Sequence, residues 1–246
     1  MATIQCGHVQ FSSIQAVLFD KDGTLADSQT FLRSLGQKRS RLIDAQIPGV
    51  QEPLLMAFGL NGDQLNPAGL LAVGTRQENE IAAAAYVAET GRDWVESLTL
   101  VRSAFTEAER VFQRKADNTP LFEGAREVLQ ALTTVGLRVG IVSADTTANV
   151  KDFVERYELG AWVQVGLGID NAPGKPDPTV FYQACTLLGV APETVLVIGD
   201  ATADMQMAKT AKAAGCVGVT WGWTRSTSLQ QADALIARFS DIQILE

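Results

Sequence analysis

The chain has one histidine and three cysteines in 246 residues, and they do not fall into metal-binding pairs. His8 stands far from Cys185 and Cys216, and there is no CxxC, so neither a zinc centre nor a disulfide scaffold is expected. Scattered, unpaired cysteines fit a reducing compartment, and the expected location is cytoplasmic. Long apolar runs are missing too. None approaches the roughly 20 residues of a membrane span, and the opening MATIQCGHVQF has neither the basic start nor the apolar stretch of a signal peptide. Positive charge is in deficit, with 20 Lys and Arg against 28 Asp and Glu and a net charge of −8. Such a surface has no general attraction for nucleic acid or anionic membrane, although a locally positive pocket could still take a small anion. Internal repeats and low-complexity tracts are absent. What remains is the composition of an ordinary globular protein, long enough for one large domain or two modest ones.

Four short β-rich runs stand out: IQAVLF (14–19), LRVGIVS (137–143), VLVIG (195–199) and CVGVTW (216–221). Runs this apolar suit strands covered on both faces, as in a parallel sheet. Amphipathic helical patterns separate the later ones. EGAREVLQALTTVG (123–136) stops at Gly136. PDPTVFYQACTLLGV (176–190) offers Asp177 as N-cap and Pro178 as first helical residue, and ADMQMAKTAKAAG (203–215) is expected to stop at Gly215. The alternation predicts a doubly wound, mostly parallel, Rossmann-like α/β sheet. Residues 28–117 differ. SQTFLRSLGQKRSRLIDAQ, NEIAAAAYVAE and WVESLTLVRSAFTEAERVFQRKA read as helices, with loop signals such as NGDQLNPAG between them. The expected organisation is an α/β core over 1–27 and 118–246 with an all-helical cap inserted at 28–117. The first ten residues alternate weakly and could add an antiparallel edge strand.

The first strong run ends in an unusual way, VLFDKDGTLADS (17–28). Residues two apart in an extended segment face the same side, so Asp20 and Asp22 are held close despite their repulsion. They lie where open α/β sheets bind ligands, beyond the carboxyl ends of the strands. Ser143 ends the second run, Lys175 precedes a helix in PGKPDP, and Asp200 ends the third run, with Asp204 a turn later in GDATAD. Acids, one lysine and a hydroxyl at strand ends are the groups needed to hold magnesium and a phosphoryl group. A cation and Lys175 would offset the repulsion between the acids.

DKDGT, the strand end at Ser143, the GKPDP lysine and GDATAD resemble the four motifs of the haloacid dehalogenase-like superfamily, in particular its phosphatases. They occur in the family's order, at intervals of 123, 32 and 25 residues, and the long first interval is where the family inserts a helical cap. The resemblance implies that Asp20 attacks phosphorus and carries an aspartyl-phosphate, and that Asp22 serves as general acid and then base. It implies that Ser143 and Lys175 bind the phosphoryl group. Mg2+ would be held by Asp20, the main-chain carbonyl of Asp22 and Asp200, with Asp204 a direct or water-mediated partner. The implied substrate is a small phosphorylated metabolite, over which the cap closes. Cap size and position are similar to the phosphoglycolate phosphatase-like group. Lys21 and Ala201 depart from the residues common at their positions.

Plainer roles compete. Asp204 could simply cap a helix, Ser143 could be a turn hydroxyl and Lys175 a solvated loop lysine. Lys21 is read as solvent-facing or salt-bridged, and Asp27 as a turn residue. Arg33, Lys38, Arg39 and Arg41 read as a solvated helix face. Arg76, in a Gly-Thr-Arg turn, is the cap candidate for contacting an anionic substrate tail. Trp221 and Trp223 in TWGWT read as packing beside the last strand, or else as a lip of the crevice. Rival functions are a sugar phosphomutase on the same core and, in a different class, a phosphorylatable signalling module or an inactive interaction protein.

Overall fold

The computed structural model describes residues 1–170, 173–224 and 228–245. In chain order the elements begin with β1 (Ala2–Cys6), β2 (Val9–Ile14) and β3 (Ala16–Phe19), then α1 (Gln29–Asp44) and α2 (Gln51–Phe58). A short hairpin of β4 (Leu60–Asn61) and β5 (Gln64–Leu65) leads to α3 (Leu70–Val73), α4 (Arg76–Glu89) and α5 (Trp94–Phe112). Next come α6 (Ala125–Thr134), β6 (Arg138–Val142), α7 (Thr147–Arg156), β7 (Val165–Leu167), α8 (Thr179–Leu188) and β8 (Val195–Gly199). The chain finishes with α9 (Thr202–Thr210), β9 (Gly215–Val219), β10 (Ala234–Ile236) and β11 (Ile242–Leu245). No described helix is long and apolar enough to cross a membrane.

Contacts divide the chain into two compact units, residues 1–28 with 119–246, and residues 29–118. The first is α/β. Six parallel strands run in the order β10-β9-β8-β3-β6-β7, and every residue of β3, β8 and β9 is buried, as their apolar sequences require. Alternate side chains face opposite layers. Ala16, Leu18, Val195 and Val197 pack with Val180, Phe181 and Ala184 of α8 and Met205 and Ala208 of α9 in one core cluster. Phe19 is level with Ile141 on one side and Ile198 on the other. This register makes the segments after β3, β6 and β8 leave the sheet at the same edge.

Several boundaries moved. Residues 2–14 form no edge of the main sheet; β1 pairs antiparallel with β2 and with β11, giving a separate three-stranded sheet. The strand β7 was not anticipated, since VGL is too short to give a period. Gly215 does not stop α9. The helix ends at Thr210, the left-handed residue is Lys212 at φ 55°, and Gly215 opens β9. At α8 the start lies one residue later than expected: Pro178 is the N-cap and Thr179 the first helical residue, although Asp177 Oδ1 still accepts the Thr179 N–H at 2.9 Å.

The second unit, residues 29–118, holds α1 to α5 and the small β4–β5 hairpin, so it is not strictly all-helical. Two of its helices begin on sequence-encoded caps. Thr75 and Glu78 form a reciprocal capping box at α4, and Asp93 accepts the Glu96 N–H at α5. Its core includes Leu35, Ile43, Leu54, Val87, Val101 and the edge-to-face pair Phe58 and Phe105.

Arg39 corrects the picture of a solvated basic face on α1. It is 5% exposed, lies over the Phe105 ring at 4.0 Å and pairs with Glu109 at 3.0 Å. Arg76 is likewise committed inside this unit. Its Nε donates to Glu80 at 2.8 Å, Nη1 to Glu109 and Nη2 to Thr106 at 3.3 Å. The guanidinium proposed for a substrate tail is thus held by two glutamates, which also pair with Arg39 and Arg102.

Candidate active site

The α/β unit gathers Asp20, Lys175, Asp200 and Asp204, which are far apart in sequence. Asp20 follows β3, and its own N–H donates to the Ile198 carbonyl at 2.9 Å, fixing it to the end of β8. Lys175 uses all three ammonium donors: Asp20 Oδ1 at 2.5 Å, Asp204 Oδ1 at 2.6 Å and the Val142 carbonyl at 3.1 Å. One buried lysine therefore ties together the ends of β3 and β6 and the first turn of α9. The solvated-loop reading of Lys175 does not hold. Asp204 has two engagements. Its Oδ2 accepts the Ala201 N–H at 3.1 Å and so caps α9, while its Oδ1 faces Lys175. The alanine at 201 has no side-chain oxygen to return the bond, so only half of a capping box forms.

Carboxylate oxygens of Asp20, Asp200 and Asp204 all lie within 4.8 Å of one another, and all three residues are buried. Two consequences are visible in their proton affinities. Burial pushes the Asp20 carboxyl up to about 6, with Lys175 opposing and Asp204 and Asp22 adding to the rise. Burial also raises Asp200 well above the carboxylate range, with Asp20 and Asp204 adding to it, while bonds from Trp223 and Thr24 work against it. For Lys175, burial opposes the charge but Asp20 and Asp204 outweigh it and raise the pKa. Three carboxylates face one ammonium, so the ionised cluster carries a surplus of two negative charges. A divalent cation with hard oxygen ligands matches both the surplus and the donor set.

Asp22 stands outside this carboxylate cluster. The resemblance assigns it a main-chain carbonyl ligand, with its carboxylate left for acid–base work. That carboxylate accepts from Lys21 at 2.7 Å and from the Ser28 hydroxyl through the same Oδ1. Lys21 is 1% exposed, so it is not solvent-facing. It bridges Asp22 to Asp145 at 3.2 Å and lies 5.7 Å over the Phe153 ring. Ser143 is buried, and its hydroxyl accepts the Asp145 N–H at 3.2 Å. It follows Val142, whose carbonyl Lys175 binds. Asp27 is exposed, and its N–H donates to the Pro120 carbonyl at 2.8 Å, a long-range contact beside the Ala26–Leu121 bridge rather than one within a turn.

Sequence reasoning missed Thr24, Asp145 and the polar end of Trp223. Thr24 Oγ1 donates to Asp200 Oδ1 at 2.8 Å, and Trp223 Nε1 donates to Asp200 Oδ2 at 2.6 Å. A signal existed for the tryptophan: a buried indole N–H needs an acceptor, and TWGWT follows a strand of the same sheet.

A model of the family described as haloacid dehalogenase-like hydrolase matches residues 14–212. The phosphoglycolate phosphatases of Shigella boydii and Escherichia coli are each 28% identical over 242 residues, covering 95% of this chain and 92% of theirs. The crystal structure of a predicted phosphoglycolate phosphatase from Haemophilus somnus superposes with a TM-score of 0.70 at 20% identity, over 94% of this chain and 96% of that one. At that identity the likeness speaks for the fold.

Proposed function

The chain belongs to the haloacid dehalogenase-like hydrolases, and on that premise we propose that it is a magnesium-dependent phosphatase acting on a small phosphate monoester. The observation that supports this best is the buried Asp20–Lys175–Asp204 contact beside Asp200, an arrangement that brings three carboxylates together at a high electrostatic cost. Asp20 is the nucleophile. Its carboxylate oxygen forms a bond to phosphorus as the ester P–O bond breaks, and Asp22 gives its proton to the departing oxygen. Asp22 then takes a proton from water, the water oxygen attacks phosphorus, and the Asp20–phosphorus bond breaks to release inorganic phosphate. The Ser143 hydroxyl, and Lys175 on exchanging one of its three present acceptors, bind phosphoryl oxygens and oppose charge as it builds up there. Asp20, Asp200 and Asp204, with the Asp22 carbonyl, would hold Mg2+, which when bound supplies charge neutralisation at the phosphoryl group.

The curated relatives' names make 2-phosphoglycolate the first substrate to try. The experiment is a panel of phosphorylated metabolites and an aryl phosphate, assayed for inorganic phosphate with Mg2+ and with chelator. Mg2+-dependent phosphate release is expected. Isomerisation of a hexose phosphate without phosphate release would mark a phosphomutase instead, and no turnover of any ester would overturn the proposal.

A further inference from the structure

The TWGWT segment after β9 contributes more than packing. We propose that Trp223 is a positioning residue that fixes the orientation of the Asp200 carboxylate for a divalent cation; this rests on the magnesium-dependent reading above. The two Asp200 oxygens have different donors, Trp223 Nε1 at 2.6 Å on Oδ2 and Thr24 Oγ1 at 2.8 Å on Oδ1. Rotating the carboxylate about its last torsion breaks at least one of these bonds. These two donors therefore constrain the plane of the carboxylate, and with it the direction of the lone pairs offered to an ion. Asp200 is 3% exposed and Trp223 9%, so water is a poor substitute for either donor.

The backbone is shaped to bring the indole there. Gly23 adopts φ +87°, and a Cβ on it would lie 2.7 Å from both the Trp223 ring and Asp200 Oδ2. A Cβ on Gly222 would lie 1.9 Å from the Gly23 carbonyl oxygen. The two glycines let the tryptophan segment lie directly on the DGT turn. Trp221 completes the docking by donating from Nε1 to the Thr24 carbonyl at 3.0 Å, with its ring 4.5 Å from that of Phe239. The two tryptophans thus divide the work: Trp221 holds the segment to the turn, and Trp223 reaches the carboxylate. Packing alone would be served by any large apolar ring. An indole N–H aimed at a buried carboxylate of a candidate metal cluster serves the cluster, and such outer partners typically change metal affinity by about 10–100-fold.

The test compares the full-length wild type with Trp223→Phe and Trp221→Phe. Mg2+ binding is measured calorimetrically without substrate, and melting temperature in chelator serves as a check on folding. Trp223→Phe keeps the ring and removes the donor, and is expected to weaken Mg2+ binding by about tenfold or more. Trp221→Phe is expected to change it far less. Should Trp223→Phe fail to fold, the wild type and Trp221→Phe are titrated with Mg2+ by tryptophan emission, and both are expected to respond because Trp223 adjoins the ion. Equal Mg2+ affinity in wild type and Trp223→Phe, equal weakening in both variants, or an emission unmoved by saturating Mg2+ overturns the role of Trp223 alone. Wild type that binds no Mg2+ overturns the proposed function and this inference with it.

Discussion

The two units of the molecule both hold a network of charges, and they arrange it in opposite ways. In residues 29–118, Arg39, Arg76 and Arg102 alternate with Glu80 and Glu109, and the pairs Arg39–Glu109, Arg76–Glu80, Arg76–Glu109 and Arg102–Glu80 all form. Signs alternate and helices are cross-linked. In the α/β unit, Asp20 and Asp204 share Lys175, and Asp200 lies beside them, so that like charges gather within 4.8 Å of one another. One arrangement stabilises its own unit, whereas the other leaves a repulsion that folding alone has no reason to retain. Buried groups with displaced proton affinities mark functional sites for this reason.

The comparison breaks first at turnover. Asp20→Asn removes the nucleophile and is expected to lower kcat on an aryl phosphate by about 10⁴-fold or more. Asp22→Asn loses acid–base help and is expected to lose about 10²–10⁴-fold. Steady-state rates at saturating Mg2+ decide both, and wild-type rates in either variant would contradict the assignment.

Lys175→Met tests the unbalanced cluster from its positive side. It leaves buried carboxylates without their counter-ion, and urea unfolding in chelator is expected to show a loss of about 3 kcal/mol. By contrast Asp20→Asn should raise stability under the same conditions. The folded-state pKa of about 6 lies above the ordinary carboxylate value of 3.8, so the folded protein binds the extra proton between those values. The stability this group contributes is full below about 4 and is lost as pH rises through 6. At pH 7 the neutral amide avoids that loss, and the variant should gain about 1–3 kcal/mol in chelator. The gain should shrink as pH falls from 6 toward 4. A variant that is inactive yet more stable is the signature of a site held against its own electrostatics.

The helical unit gives the smallest effect. Glu109→Ala deprives Arg39 of its carboxylate, but Glu109 is about a third exposed and relaxation is easy there. A loss of about 2 kcal/mol is expected, with Mg2+ affinity unchanged. A shift in Mg2+ affinity would mean that the two charge networks are not independent.

How much of this was legible beforehand follows from physical range. VLVIG is a strand read to the residue because a run buried on both faces leaves a plain apolar signature. Asp20, Lys175, Asp200 and Asp204 were found because strand ends of a parallel sheet meet at one edge. Periodicity does not register three-residue strands such as β7, nor the pairing of β1 with β11 across the whole chain. Arg39 was misread because a single helix pattern does not show that a facing helix carries Glu109 and Phe105. For Lys21 the salt-bridged reading holds, but its second partner, Asp145, lies on another loop and was not foreseen. Trp223 was read as packing or as a lip of the crevice, and its bond to Asp200 was not foreseen because that acceptor is 23 residues away.

The most direct test is to look for the phosphoryl group on the protein. In Asp22→Asn, an aryl phosphate can still transfer its phosphoryl group because its leaving group needs little protonation, while hydrolysis of the intermediate is slowed. The account predicts that acid-quenched Asp22→Asn protein, incubated with Mg2+ and aryl phosphate, carries one phosphoryl group that peptide mapping assigns to Asp20. Phosphate release by the wild type with no phosphoryl group trapped in the variant, or a group mapped to another residue, would contradict it.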